Sequence, residues 1–185
     1  ETGTLTREDI VEIVKFLMHY GDLFLGKTTV LCKDTPAFIA KRVGVFAIMK
    51  VIDSMNKLNL NIDEIDKLTG PVIGRPKSAT FRTSDVVGLD TLIKVAGNLF
   101  EGLQNDEGRK YFKLPEVVSK MEQNKWLGDK TNQGFYKKTK NTKGETEILT
   151  LDLNTLEYKP KAKTKFATLE STKSIDNLKQ RFKVL

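Results

Sequence analysis

The chain has 185 residues, 39% hydrophobic and 30% charged, the composition of an ordinary domain with a real core. No apolar run reaches the roughly 18–20 residues that cross a bilayer. The one cysteine, Cys32, excludes an internal disulfide and a cysteine-rich metal site and fits a reducing, cytoplasmic setting, while the net charge of +7 leaves room for an anionic partner.

The segment TREDIVEIVKFLMHYGDLFLG (6–26) predicts a helix. Thr6 can cap it, Asp9 suits its positive end, and Ile10, Ile13, Val14, Leu17 and Met18 recur with helical spacing. TTVLC (28–32) reads as one buried strand, with Cys32 in the core. A strand needs partners for its backbone groups, and the neighbouring sequence offers none, which predicts a sheet belonging to chain upstream. His19, the one histidine, falls on the polar side of the first helix.

After the break at Lys33-Asp34-Thr35-Pro36, a long helix is predicted from Ala37 to Leu58, apolar around most of its circumference and so surrounded by protein. Lys41 shares a stripe with Val45, Ile48, Ile52 and Met55. NIDEIDKLTGP (61–71) is a short helix with a capping-box pair, Asn61 and Glu64, and a Gly70-Pro71 stop. A turn at Gly74-Arg75-Pro76 leads to a helix ending near Gly88, and Asp90 caps the next, 91–103. LPEVVSKMEQN (114–124) is another helix. QGFYKK, TEILTLDL and LEYKP switch to β character and predict a small antiparallel appendage. Residues 168–185 return to a helix after a lysine-bearing linker. Eight lysines lie in 137–143 and 159–165, where stacking aromatics are sparse, so these runs read as solvated turn and linker and not as a nucleic-acid surface.

No G-x-G-x-x-G, P-loop, HExxH or CxxC is present, so these residues suggest neither a cofactor nor a metal.

Three segments taken in order, GKTTVLCKDTPAFIAKRVG (26–44), IDEIDKLTGPVIGRPKSATFRTSDVVGLDT (62–91) and NKWLGDKTNQGFYKK (124–138), resemble the 3-hydroxyacyl-CoA dehydrogenases. The resemblance covers residues 6 to about 138 and spans the last helix and strand of a Rossmann domain plus the helical C-terminal domain. GETEILTLDLNTLEYKPK (144–161) and the closing KFATLESTKSIDNLKQRFKVL (165–185) look like the large multifunctional β-oxidation proteins.

The resemblance implies a mainly α fold in four parts. These are a remnant of the NAD-binding domain (1–34), a helical substrate and dimerisation domain (35–138), a β-hairpin (139–160), and a linker with a helix leading onward (161–185). It implies oxidation of 3-hydroxyacyl-CoA with NAD in the full-length parent, none bound to this fragment, and no turnover by the fragment alone. The family's glycine fingerprint and its catalytic histidine, glutamate and serine would lie upstream. Expected partners are an acyl-CoA and a second copy of the helical domain, with no nucleic acid and no membrane span.

Of the family's groups at the reacting carbon, the helical domain supplies an asparagine in an Asn-Arg pair. Lys41 stands at that position, followed by Arg42. A lysine ammonium only donates, whereas an asparagine amide donates and accepts. Lys41 is therefore the candidate catalytic residue, and two roles fit it: facing the substrate, or snorkelling to water. Arg42, Arg75, Thr80 and Phe81 are the candidate substrate-binding residues, and packing of the helix junction is the alternative role for Thr80 and Phe81. The family's ending K-T-x-x-G-F-Y is matched by Lys130, Thr131, Gly134, Phe135 and Tyr136, read as a closing turn that Trp126 anchors.

Overall fold

The computed structural model describes residues 4–185. Helix α1 spans Arg7–His19 and continues as a wider turn over Tyr20–Phe24. Its start is as the sequence predicts: the Thr6 side chain accepts from the Asp9 N–H and Asp9 accepts from the Thr6 N–H. None of its apolar side chains is buried, and Phe16, Tyr20 and Phe24 stack along its surface.

Residues 28–32 differ from the expectation. They form no strand, and Cys32 is exposed and not in the core. The segment is instead pinned back onto the end of α1. Thr29 donates its N–H to Asp22 and its hydroxyl to the Met18 carbonyl, and its methyl group occupies the space that Gly21 leaves. With no neighbouring strand, the ladder that would define a strand cannot form.

Helix α2 spans Ala40–Leu58, three residues later than predicted. Ala37 and Phe38 take left-handed backbone angles (φ 60° and 50°), and no side chain caps the helix start at Ile39. The helix ends on Asn59, also left-handed, with the Leu60 N–H bonded back to the Met55 carbonyl. Val45, Met49, Ile52 and Met55 form its buried stripe.

Helix α3 (Ile62–Leu68) has both halves of the predicted Asn61–Glu64 capping box. A tight turn at Pro71–Ile73 follows, then α4 (Phe81–Val87), which stops at Gly88 where φ is 94°. Helix α5 runs from Leu89 to Gly102, so Asp90 sits inside its first turn and does not cap it. Helix α6 is Glu116–Gln123.

Strands β1 (Tyr136–Lys140), β2 (Thr146–Leu151) and β3 (Tyr158–Pro160) form an antiparallel meander, with Tyr136 opposite Thr150 and Leu151 opposite Tyr158. A boundary at 138/139 falls inside β1. The sheet is not a separate appendage: Phe135, Tyr136 and Leu151 belong to the same buried cluster as Ile52, Ile65, Leu92 and Val118. The terminal segment forms two short helices, α7 (Ala167–Ser171) and α8 (Leu178–Val184). Helix α8 docks on the Pro71–Ile73 turn, where Arg181 donates to the carbonyls of Pro71 and Val72. Among the described residues no helix is long and apolar enough to cross a membrane.

Candidate functional site

Lys41 and Arg42 occupy the first turn of α2, which carries no acidic residue. Cations there oppose the helix dipole, so each needs another outlet. Arg42 pairs with Asp106, whose other oxygen accepts the Gly108 N–H at 2.7 Å. Arg42 therefore fastens the start of α2 to the 103–108 loop. Lys41 is exposed and makes no ion pair or side-chain hydrogen bond among the described residues. Its ammonium is a donor in a region of positive helix potential, which suits it to hydrogen-bond a carbonyl oxygen or a developing oxyanion.

Arg75, Thr80 and Phe81 form a second group. Thr80 and Phe81 are wholly buried (0% exposed). The Thr80 hydroxyl lies 2.8 Å from that of Thr69 and accepts from Arg75 Nη1 at 3.2 Å. Phe81 meets the Phe135 ring edge-on at 4.7 Å. Both residues pack the helix junction, and neither lines an open cavity. No hydrogen bond or ion pair joins this group to Lys41 or Arg42 among the described residues.

Three carboxylates organise the junction, and sequence reasoning assigned none of them this role. Asp66 accepts the N–H groups of Thr80, Phe81 and Arg82 at 3.0, 2.8 and 3.1 Å, capping α4 from another helix, and it also accepts the Tyr136 phenol at 2.8 Å. That acceptor and the burial of the ring push the Tyr136 phenol far above its ordinary range, burial being the larger cause. Asp63 accepts the Thr150 hydroxyl and the Ala162 N–H, tying β2 and the following linker to α3. Asp85 accepts the N–H groups of Phe135 and Tyr136. Burial pushes its carboxyl from 3.8 up to about 6, against the pull of those two N–H groups.

The K-T-x-x-G-F-Y segment is the closing turn the sequence suggests. Lys130 pairs with Asp90, which holds the Asp90 carboxyl below its usual range. The Thr131 hydroxyl accepts the Leu127 N–H and faces the carbonyls of Gly128 and Gln133. Gly128 (φ 96°) and Gly134 leave no room for a side chain: a Cβ would meet Asp85 atoms at 2.3 and 2.1 Å. Trp126 packs edge-on against Tyr158 at 5.5 Å.

Residues 38–138 match the family model described as the C-terminal domain of 3-hydroxyacyl-CoA dehydrogenase. The chain is 42% identical, over 97% of its length, to a probable 3-hydroxyacyl-CoA dehydrogenase of Bacillus subtilis, of which it spans 22%. It is 29% identical, over 92% of its length, to a putative fatty acid oxidation complex trifunctional enzyme of Rickettsia prowazekii, of which it spans 24%. Among solved structures, FadB2 of M. tuberculosis superposes with a TM-score of 0.57 at 26% identity, covering 65% of this chain and 41% of that one. The chain thus spans less than a quarter of the length of these two curated relatives, and its helices from α2 to α6 and the start of β1 fall within the matched domain. The chain belongs to the 3-hydroxyacyl-CoA dehydrogenase family, and residues 38–138 are its C-terminal domain.

Proposed function

We propose that this chain is the substrate-binding and dimerisation part of an NAD-dependent 3-hydroxyacyl-CoA dehydrogenase of fatty-acid β-oxidation, which converts a 3-hydroxyacyl-CoA to a 3-oxoacyl-CoA. What supports this reading is the match of residues 38–138 to the family's C-terminal domain, together with Lys41, exposed and without an ion-pair partner among the described residues in the first turn of a 19-residue helix. Oxidation at C3 removes a hydride from carbon and a proton from its hydroxyl. Lys41 donates to the C3 oxygen and fixes it in place. A protonated ammonium has no lone pair, so it does not take the proton. Arg42, tied to Asp106, holds the start of α2 steady beneath it.

The residues of this chain do not fit a dinucleotide. They contain no glycine fingerprint, and the one sheet among the described residues is antiparallel. The hydride acceptor and the base that takes the hydroxyl proton are therefore assigned to no residue here, and the chain alone is expected not to reduce acetoacetyl-CoA with NADH.

Dimerisation has support beside the site. Phe38, Ile39 and Val43 are each at least half exposed and flank Lys41, an apolar patch that a second copy of the helical domain would cover. The test combines an NADH-oxidation assay with light scattering. No turnover and a dimer mass are expected. Robust turnover by this chain, or a monomer at high concentration, would contradict the reading.

A further inference from the structure

A basic cleft lies away from α2. It is a half-open concavity of about 1010 Å³ between α3, the start of α4, the outer side of β1 and β2, and the linker and helix at α7. Eight cations and four carboxylates line it.

The carboxylates are already engaged. Asp63 and Asp66 accept the backbone and hydroxyl donors described above. Asp129 pairs with Arg82, and Glu170 stands 4.0 Å from Lys173. The remaining cations, Lys67, Lys77, Lys138, Lys161, Lys163 and Lys165, are exposed and have no ion-pair partner among the described residues. Two internal contacts shape the linker side. The Ala162 N–H is fixed on Asp63 at 2.8 Å, and the Lys161 ammonium lies 5.4 Å from the centre of the Tyr136 ring. Lys163 and Lys165 follow that anchored residue and line the same cleft.

Bonds from neutral donors leave the charges of Asp63 and Asp66 in place, so eight cations against four carboxylates give the lining a net charge of +4 (8 − 4). Apart from the Lys161 contact with the Tyr136 ring, the fold gains nothing by gathering the six lysines that lack an ion-pair partner among the described residues. They focus a positive potential into the cleft. The volume is at the upper end of the roughly 300–1,000 Å³ of small-molecule sites. A strand of nucleic acid would need aromatic faces to stack on, and the one ring here, Tyr136, is buried with its hydroxyl held by Asp66. The geometry points to a site for a compact ligand carrying two or more phosphate groups, the chemistry shared by a nucleoside polyphosphate and the phosphorylated arm of coenzyme A. This inference does not rest on the role of Lys41, because no residue of α2 lines the cleft.

The test is calorimetric titration of the 185-residue chain with inorganic tripolyphosphate, ATP and coenzyme A at low ionic strength. It is repeated on K161Q/K163Q/K165Q and on the charge-matched control K110Q/K140Q/K143Q, with unchanged circular dichroism melts required of both. The cleft triple is expected to weaken tripolyphosphate binding about tenfold or more, because charge-assisted contacts are lost. The control is expected to change it by less than about twofold, through screened long-range charge alone. Equal affinity for ATP and coenzyme A would assign the site to the shared phosphates, and a preference for either would assign it to that source. The inference is overturned by three results: no tripolyphosphate binding, equal loss in both variants, or tighter and more salt-sensitive binding of a single-stranded oligonucleotide than of ATP.

Discussion

Asp85 Oδ1 accepts the backbone N–H of Phe135 at 2.9 Å across fifty residues of chain. The next N–H, that of Tyr136, donates to Oδ2 at 2.8 Å. One carboxylate thus fastens α4 to the first residues of the sheet. Replacing it by alanine leaves two buried N–H groups without acceptors. Asp85→Ala is expected to cost roughly 2–6 kcal/mol in chemical denaturation, at about 1–3 kcal/mol for each orphaned donor.

The same carboxyl gives a pH signature. Its folded pKa of about 6 lies above the ordinary 3.8, so the fold favours the protonated form. Its contribution to stability is present below the ordinary value and is lost as pH rises towards about 6. The stability gap between the wild type and Asp85→Asn should therefore shrink from pH 4 to pH 6 and then level off. Denaturation curves at several pH values across that window check this. A gap that widens would mean that the two N–H groups outweigh burial.

Gly134 contrasts with two glycines inside helices. Gly134→Ala would drive a methyl group into Asp85 Oδ1, and is expected to destabilise by about 1–3 kcal/mol or more. Gly44 in α2 and Gly97 in α5 have nothing within 4 Å of an added Cβ. Alanine at either should stabilise by about 0.5–1 kcal/mol. Thermal melts of the three variants separate the two cases.

Asp66 predicts a graded pair. Tyr136→Phe removes one hydrogen bond to it and should cost about 1 kcal/mol. Asp66→Ala also uncaps α4 and should cost roughly 2–4 kcal/mol. Equal costs in urea denaturation would mean that the cap adds nothing.

Local signals in the sequence were legible. The Thr6 cap with Asp9 in the first turn, the Asn61–Glu64 capping box and the stop at Gly88 need only neighbours along the chain, and all three are present. The family, too, was legible from three segments in order. Residues 28–32 misled because β-rich composition forms a strand only beside a partner. Helix α2 starts late because left-handed angles at Ala37 and Phe38 have no composition signature. The junction roles of Asp63, Asp66 and Asp85 were not legible for a related reason: their main partners lie 14 to 99 residues away, and only the folded chain brings them together. Thr80 and Phe81 looked equally suited to a pocket or a junction, and burial placed them in the junction.

The role of Lys41 is tested most directly by two-dimensional NMR of the labelled chain, titrated with acetoacetyl-CoA and, separately, with coenzyme A. The account predicts that acetoacetyl-CoA shifts the amides of residues 38–43, that coenzyme A alone does not, and that Lys41→Ala abolishes those shifts while leaving the melt within about 0.5 kcal/mol of wild type, as an exposed side chain should. Shifts around 38–43 that are the same for both ligands, or that persist in Lys41→Ala, would contradict it.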